Sequence, residues 1–397
     1  MKLDSKFLRL VGWTLVWRIA LFFVAIAAPF FFDFKPSFLG SDVLAMIQLP
    51  QWVVAWTNFD GVYYFMLVTY GYRTIGLTQA FFPVFPLTLA PMWQITHNTA
   101  AVVILAQTIS FFSLLVLLRL YEAVIAFYVR AKPIRYVWLT VLILLFPTSF
   151  YLAAVYTESL FLALVLGSFV AASHRKWLLA GILAGIASGT RVVGIMLVPA
   201  LLIELGSQTG LWRYQLLMSA KLLGEWVRTN FRSIIAIFLG ITGLVCYSAY
   251  LWYHYQDPLY FFHVQSEFGA GRQESLILFP QVVWRYLKIF ATSPFDIRYL
   301  SYVQEFVSAV GGLLILLLGR KLVRPSLLFF SIAVVIIPTL TGTFSSMSRY
   351  ILVAPAIFLI LNAWLTLTPR LRVFWLVIST LLLILNTMLF IQGYWVA

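Results

Sequence analysis

Eleven apolar runs, almost free of charged residues, limit what this chain can fold into. They lie near 8–31, 99–126, 137–153, 159–173, 177–190, 193–204, 233–252, 300–318, 326–341, 351–367 and 373–391. Crossing the hydrocarbon core of a bilayer takes roughly 20 apolar residues in a helix. Several runs are shorter, so that neighbours such as 177–190 and 193–204 can be partly re-entrant or shielded by other helices. Of 397 residues, 62% are hydrophobic and 10% charged, whereas a soluble domain carries about 25% charge. So few ionisable groups cannot cover a water-exposed globule, but they suit a surface solvated by lipid, where only internally hydrogen-bonded backbones persist. The expectation is an all-α polytopic membrane protein with about 11 transmembrane helices, within a range of 9–13, in one domain over 1–397. No separate soluble domain and no cleavable signal peptide are expected, because the first apolar run is too long for a signal and no small-residue cleavage site closes it.

The net charge of +14 invites a nucleic-acid reading, which needs the basic residues gathered into a stripe or tail. Here they are scattered between apolar runs, as in loops flanking membrane helices, so no nucleic-acid partner is expected. One cysteine, Cys246, excludes an intrachain disulfide and a cysteine-based zinc site. The histidines, at 97, 174, 254 and 263, show no metal-ligand spacing. If the N-terminus is cytoplasmic and the runs alternate, 18 of the 27 Lys and Arg fall inside or at inner ends. These include Lys2, Lys6, Arg9, Lys132, Arg175, Lys176, Arg213 and Arg324. Eight fall outside, and Arg18 lies within the first run, from which it is expected to snorkel to the cytoplasmic side. Of the 13 acids, Asp4, Glu122, Glu204 and Glu225 fall inside and nine outside. Two long polar-aromatic stretches, 33–98 and 253–299, also fall outside, whereas 205–232 inside reads as an amphipathic surface segment. Elaborate loops usually carry the site, so outer loops 33–98 and 253–299 are expected to form the working face.

Four constellations on that face could carry chemistry. In Trp56-Thr57-Asn58-Phe59-Asp60-Gly61-Val62-Tyr63-Tyr64, Asn58 and Asp60 can cap a helix starting near Gly61. Tyr63, Tyr64, Leu67 and Tyr70 then recur at helical spacing, as on a helix lying in the membrane interface. Asp60 is either a simple N-cap or a general base beside a lipid-delivered substrate. Tyr156-Thr157-Glu158 places a carboxylate at the outer start of a run, where it can cap the next helix or serve the site. Arg191, in Gly189-Thr190-Arg191-Val192-Val193-Gly194, opposes the positive-inside trend. It is either a snorkelling arginine paired with Glu158 or a grip for a lipid phosphate. Arg349, in Ser348-Arg349-Tyr350, is either a second phosphate contact or an interfacial anchor. Phe81-Phe82-Pro83-Val84-Phe85-Pro86 reads as an extended lead into a helix, without chemistry. In the second loop, no spacing singles out His263, Gln265 or Arg272.

In order, these segments are FDGVYYFMLVTYGY from Phe59 to Tyr72, FFPVFP from Phe81 to Pro86, YTESLF from Tyr156 to Phe161 and LAGILAGIASGTRVVG from Leu179 to Gly194. Together they resemble the GPI mannosyltransferase 2 (PIG-V-type) family and its prokaryotic relatives, within the GT-C superfamily of polytopic glycosyltransferases. The likeness covers roughly 56–194 and, further on, Ser348-Arg349-Tyr350. Phe59 stands for the family's usual Trp and Val68 for its usual Ala, and the chain length points to a prokaryotic relative. The resemblance implies a GT-C-like helical bundle with interfacial helices in the first outer loop. It also implies transfer of a hexose, mannose in the family, from a polyprenyl-phosphate sugar to a lipid or glycan acceptor hydroxyl, with inversion. On that reading Asp60 is the catalytic base, Arg191 and Arg349 bind the donor phosphate, and Glu158, Tyr63, Tyr64 and Tyr156 orient or bind substrate. No cofactor is required, although the outer-face acids leave room for a divalent cation. The location implied is a prokaryotic plasma membrane, with the active site on the outer face. A lipid or sugar transporter is the competing reading, and it predicts mid-membrane charges and inverted repeats with broken helices.

Overall fold

Backbone groups dissolved in lipid must pair within their own segment, and the chain meets that demand with helices throughout. The computed structural model describes residues 5–35, 38, 40–72, 76–130, 134–212, 219–269 and 271–396. Lys2, Asp4, Lys132 and Arg213 lie outside the described residues. The helices of the N-terminal half are α1 (Ser5–Ala27), α2 (Gln51–Val54), α3 (Asp60–Tyr70), α4 (Val84–Thr96), α5 (Thr99–Tyr128), α6 (Tyr136–Leu144), α7 (Glu158–Ser173), α8 (Trp177–Ser188) and α9 (Leu197–Thr209). There follow α10 (Ala220–Phe238), α11 (Thr242–Tyr255), α12 (Tyr260–His263), α13 (Phe279–Thr292) and α14 (Ile297–Phe306). The chain ends in α15 (Gly312–Leu318), α16 (Pro325–Ile336), α17 (Met347–Leu352), α18 (Pro355–Leu367) and α19 (Pro369–Ile391). Among the described residues the only β pairing is an isolated bridge between Val129 and Val323.

Six segments are long and apolar enough to cross a membrane: Ser5–Phe30, Thr99–Tyr128, Val192–Thr209, Ala220–Tyr255, Ile297–Leu318 and Pro369–Ile391. Four shorter apolar helices, Glu158–Ser173, Trp177–Ser188, Pro325–Thr341 and Pro355–Leu367, lie among them. The protein is therefore an all-helical membrane protein. The apolar run at 137–153 stops early, because Pro147 cannot continue a helix; α6 ends at Leu144, and a short 3-10 turn takes over at Ser149–Leu152. Residues 220–232 of the amphipathic segment and the run at 233–252 join into one length of helix, interrupted by a 3-10 turn at Leu239–Ile241. Outward-facing side chains on the long helices are apolar, such as Phe23 and Val16 on α1, each 67% exposed, which suits contact with lipid.

Core contacts run from α5 to α7, from α7 to α8, and from α8 to α10 and α11. Helices in lipid gain little from burying apolar area and depend on close backbone approach. Gly181, Gly185 and Gly189 provide it, four residues apart on α8. A Cβ at Gly181 would strike the Ala236 carbonyl of α10, and one at Gly185 would stand 2.7 Å from the Leu239 oxygen. At the end of the bundle opposite Asp60, Glu204 is wholly buried. It accepts from Arg324 Nη2 at 2.7 Å and Nε at 3.2 Å, and from Ser326 Oγ at 2.5 Å, so α9 is fastened to α16.

Two local expectations are corrected. The α3 helix does not present Tyr63, Tyr64 and Leu67 to a membrane interface, because Gly61 to Val68 are all buried. Its cover comes from α4 and from rings such as Phe81, which stacks on Tyr63 at 4.8 Å. Arg18 does not snorkel toward the N-terminal end of α1. It leans toward the opposite end, over Phe22 at 4.3 Å and Trp56 at 4.6 Å, because those rings and Gln107 offer polar and cation–π contacts within the bundle.

Replacing Gly185 by Leu forces α8 from the 239–242 turn and is expected to destabilise the protein by about 3 kcal/mol. Gly12→Ala, which meets open space, is expected to leave the thermal unfolding midpoint in detergent unchanged. Equal midpoints for the two variants would show that the close approach contributes nothing.

Candidate functional site

The site begins at an irregular residue. Phe59 has φ 57° and ψ −116°, a region that glycine favours and that costs about 1–3 kcal/mol for other residues. Its ring is held between Phe38 at 4.5 Å, Trp395 at 5.5 Å and Phe390 at 5.7 Å. The turn makes Asp60 the first residue of α3. The Asp60 amide donates to Tyr156 Oη at 3.2 Å, and that hydroxyl donates to the Asn58 carbonyl at 2.8 Å. Asn58 Nδ2 donates to the backbone oxygens of Phe390 and Ile391, at 2.8 and 3.3 Å, which ties the loop to α19.

Neither Asn58 nor Asp60 caps α3, since Phe59 is the N-cap and makes no side-chain cap bond. The Asp60 carboxylate instead reaches Arg349, with Oδ2 2.7 Å from Nη1. Arg349 stands on α17, a short helix that follows Ser346 in the left-handed conformation. Its Nε and Nη2 both lie 3.0 Å from Glu158 Oε1. Arg191, in the turn between α8 and the helix after it, brings Nη1 to 2.7 Å from the same oxygen and 3.3 Å from Thr157 Oγ1. Glu158 thus stands between two arginines, and Arg349 between two carboxylates. The side chains are 0% exposed at Glu158, 6% at Arg349, 10% at Arg191 and 23% at Asp60, so Asp60 is the most accessible of the four. Aromatic rings complete the shell: Tyr156 and Tyr151 lie 4.8 and 5.0 Å from the Arg349 guanidinium, and Tyr350 lies 5.0 Å from that of Arg191.

Two arginines and two carboxylates leave the cluster formally neutral, which makes so much buried charge tolerable. The cluster lies on the wall of a cavity of about 880 Å³, lined by Asp60, Tyr63, Tyr64, Arg191 and Arg349 among others. That volume is in the range of small-molecule sites, about 300–1,000 Å³. Glu158 and Tyr156 stand behind the wall and hold its charged residues in place. Burial and the Asp60 charge push the Tyr63 phenol up to about 12, and Tyr64 is raised further by the same causes. Both phenols therefore stay protonated at neutral pH, and the Tyr64 hydroxyl donates to Thr157 Oγ1 at 3.5 Å.

All seven residues singled out from the sequence gather here, with Asp60, Glu158, Arg191 and Arg349 in one network. Others were not singled out. Thr157 supports Arg191. Arg272 and Gln265 line the same cavity, with Arg272 Nη1 2.7 Å from Gln265 Oε1. Glu305, 2% exposed, accepts from Tyr286 Oη at 2.6 Å on another part of the lining. Glu305 interrupts an otherwise apolar run, a signal that could have marked it. Phe81 and Phe82, read as shaping only, line the cavity as well. No known family model matches the chain, and neither does any curated protein or solved structure.

Glu158→Gln leaves Arg191 and Arg349 facing Asp60 alone, an uncompensated buried charge that is expected to destabilise the fold by about 3–5 kcal/mol. The exposed pair of Arg119 with Glu122 sets the scale for comparison, because Glu122→Gln should lose about 1 kcal/mol or less. Thermal unfolding of both variants measures the difference. Similar midpoints would mean that Glu158 does not neutralise the cluster.

Proposed function

We propose that this protein is a GT-C-type hexosyltransferase of about eleven membrane helices. It moves a sugar, mannose by the resemblance of its motifs, from a polyprenyl-phosphate donor to a hydroxyl of a lipid or glycan acceptor, with inversion. The reaction takes place on the non-cytoplasmic face of a prokaryotic plasma membrane. The observation that carries this reading is the meeting of Asp60, Glu158, Arg191 and Arg349 at one cavity, from four segments spread over nearly 300 residues.

In this reading the acceptor oxygen attacks the anomeric carbon while the bond from that carbon to the phosphate oxygen breaks. The electron pair leaves with the phosphate, and the acceptor proton passes to Asp60. The departing phosphate goes from one negative charge to two and needs positive charge rather than a general acid. The Asp60–Arg349 ion pair provides this without importing an ion. Once Asp60 is protonated, Arg349 loses one of its two anionic partners, so its charge becomes available as the phosphate acquires its own. Arg191 adds a second guanidinium on the cavity wall, and Glu158 fixes the orientation of both. Tyr63 donates a hydrogen bond to a sugar or phosphate oxygen.

The test is transfer of labelled mannose from a synthetic polyprenyl-phosphate donor, with a bacterial lipid extract as acceptor. Asp60→Asn is expected to lower turnover about 10²–10⁴-fold while donor binding is retained. A folded variant with near-wild-type turnover would remove Asp60 as the base. In the same assay Arg191→Gln is expected to weaken donor binding about tenfold, or about 1.4 kcal/mol; unchanged affinity would place the phosphate elsewhere.

A further inference from the structure

Away from the cavity, Arg18 holds a permanent charge midway along α1, within the apolar stretch that follows Arg9. It is 7% exposed, and no carboxylate among the described residues forms an ion pair with it. Nη2 donates to Gln107 Oε1 at 2.6 Å, and the Gln107 amide in turn donates to the Val53 carbonyl at 3.1 Å. Nη1 is buried without a hydrogen-bond partner, as is Nε1 of Trp56, the ring against which the guanidinium packs. An ionisable group at membrane depth is expensive unless something compensates its charge, and here a glutamine and two rings leave it uncompensated.

The guanidinium borders a groove of about 590 Å³ between α1, residues 49–53 and α5. Apart from Arg18, Gln107 and Thr108 its lining is apolar, with Ile19, Phe22, Trp52, Ile104 and Phe111 as the main surfaces. Ile19 and Ile104 are about half exposed, so the groove opens sideways, where a bilayer would meet the helices. Its occupant must therefore bring negative charge to Arg18 and a hydrocarbon chain to the rest. Free phosphate lacks the chain, and a zwitterionic or neutral lipid lacks the net charge. Guanidinium groups bind phosphate oxygens through paired, charge-assisted hydrogen bonds, and local thinning of the bilayer around an arginine at membrane depth lets a headgroup reach it.

We propose that this groove binds one anionic phospholipid, with its phosphate on Arg18 and an acyl chain along α1 and α5. The site is independent of the transferase reading and would remain if that reading failed.

The test uses the purified full chain in detergent, titrated with palmitoyl-oleoyl phosphatidylglycerol or the matching phosphatidylcholine and read by native mass spectrometry. Wild type is expected to retain about one phosphatidylglycerol per chain and to prefer it about tenfold; Arg18→Gln should bind both lipids alike. Should Arg18→Gln fail to fold, Ile19→Trp combined with Ile104→Trp fills the groove with Arg18 intact and should abolish the same preference. No preference in wild type would overturn the proposal, as would an equal preference in the variants. A preference that survives Arg18→Gln but disappears when Arg228 and Arg232 of α10 become Gln would also overturn it, by assigning the attraction to that basic helix.

Discussion

A guanidinium cannot shed its proton in a protein, so an arginine drawn out of water is costly unless opposite charge compensates it. Arg349 has two carboxylate partners. Its pairs with Asp60 and Glu158, and the link from Glu158 to Arg191, bind the start of α3, the start of α7, the turn after α8 and the short helix α17 into one cluster. Each of these segments is short or irregular and would have little reason to stay where it is without the others. The strained turn at Phe59 is tolerated because the same cluster and the rings around it over-determine that position. The most unusual backbone of the region and its densest charge thus depend on each other.

The second constraint is steric. α8 approaches α10 and α11 at backbone distance because glycines at 181, 185 and 189 leave room. That contact sets where α8 ends and hence where Arg191 stands. Between the two ends of the bundle the charge is arranged differently: one end holds a cavity lined by charged groups, and the other a Glu204–Arg324–Ser326 knot around a wholly buried carboxylate. The knot fastens helices together. Charge bordering a cavity can act on what enters it.

How legible this was in the sequence depended on whether the information was local. The helical, membrane-embedded character could be read from hydropathy alone, since the apolar runs are long and the charges between them few. Asp60, Glu158, Arg191 and Arg349 could be picked out because each breaks a local rule, being charged where its surroundings are apolar or aromatic. The pairing of Arg191 with Glu158 was one of the readings open in the sequence, but the partners of Arg349 could not be read there, because they lie 191 and nearly 300 residues away. The burial of α3 was misread for the same reason: Tyr63 and Tyr64 look interfacial until α4 and Phe81 cover them. Arg18 was sent the wrong way because snorkelling considers one helix alone, whereas Gln107 and Trp56 come from elsewhere. The four-residue spacing of Gly181, Gly185 and Gly189 is visible in the sequence, but the segments they admit are not, since Ala236, Leu239 and Gly243 come from further along the chain.

The clasp of Asn58 onto the Phe390 and Ile391 carbonyls has a consequence for how the protein comes into being. The loop bearing Asp60 is among the first parts made, its counter-ion Arg349 arrives near the end, and the strand of hydrogen bonds that steadies the loop waits for the final helix. Until that helix is inserted, the cluster has no complete set of neighbours. A chain that lacks residues 349–391 therefore lacks both the counter-ion of Asp60 and the clasp on the loop that bears it.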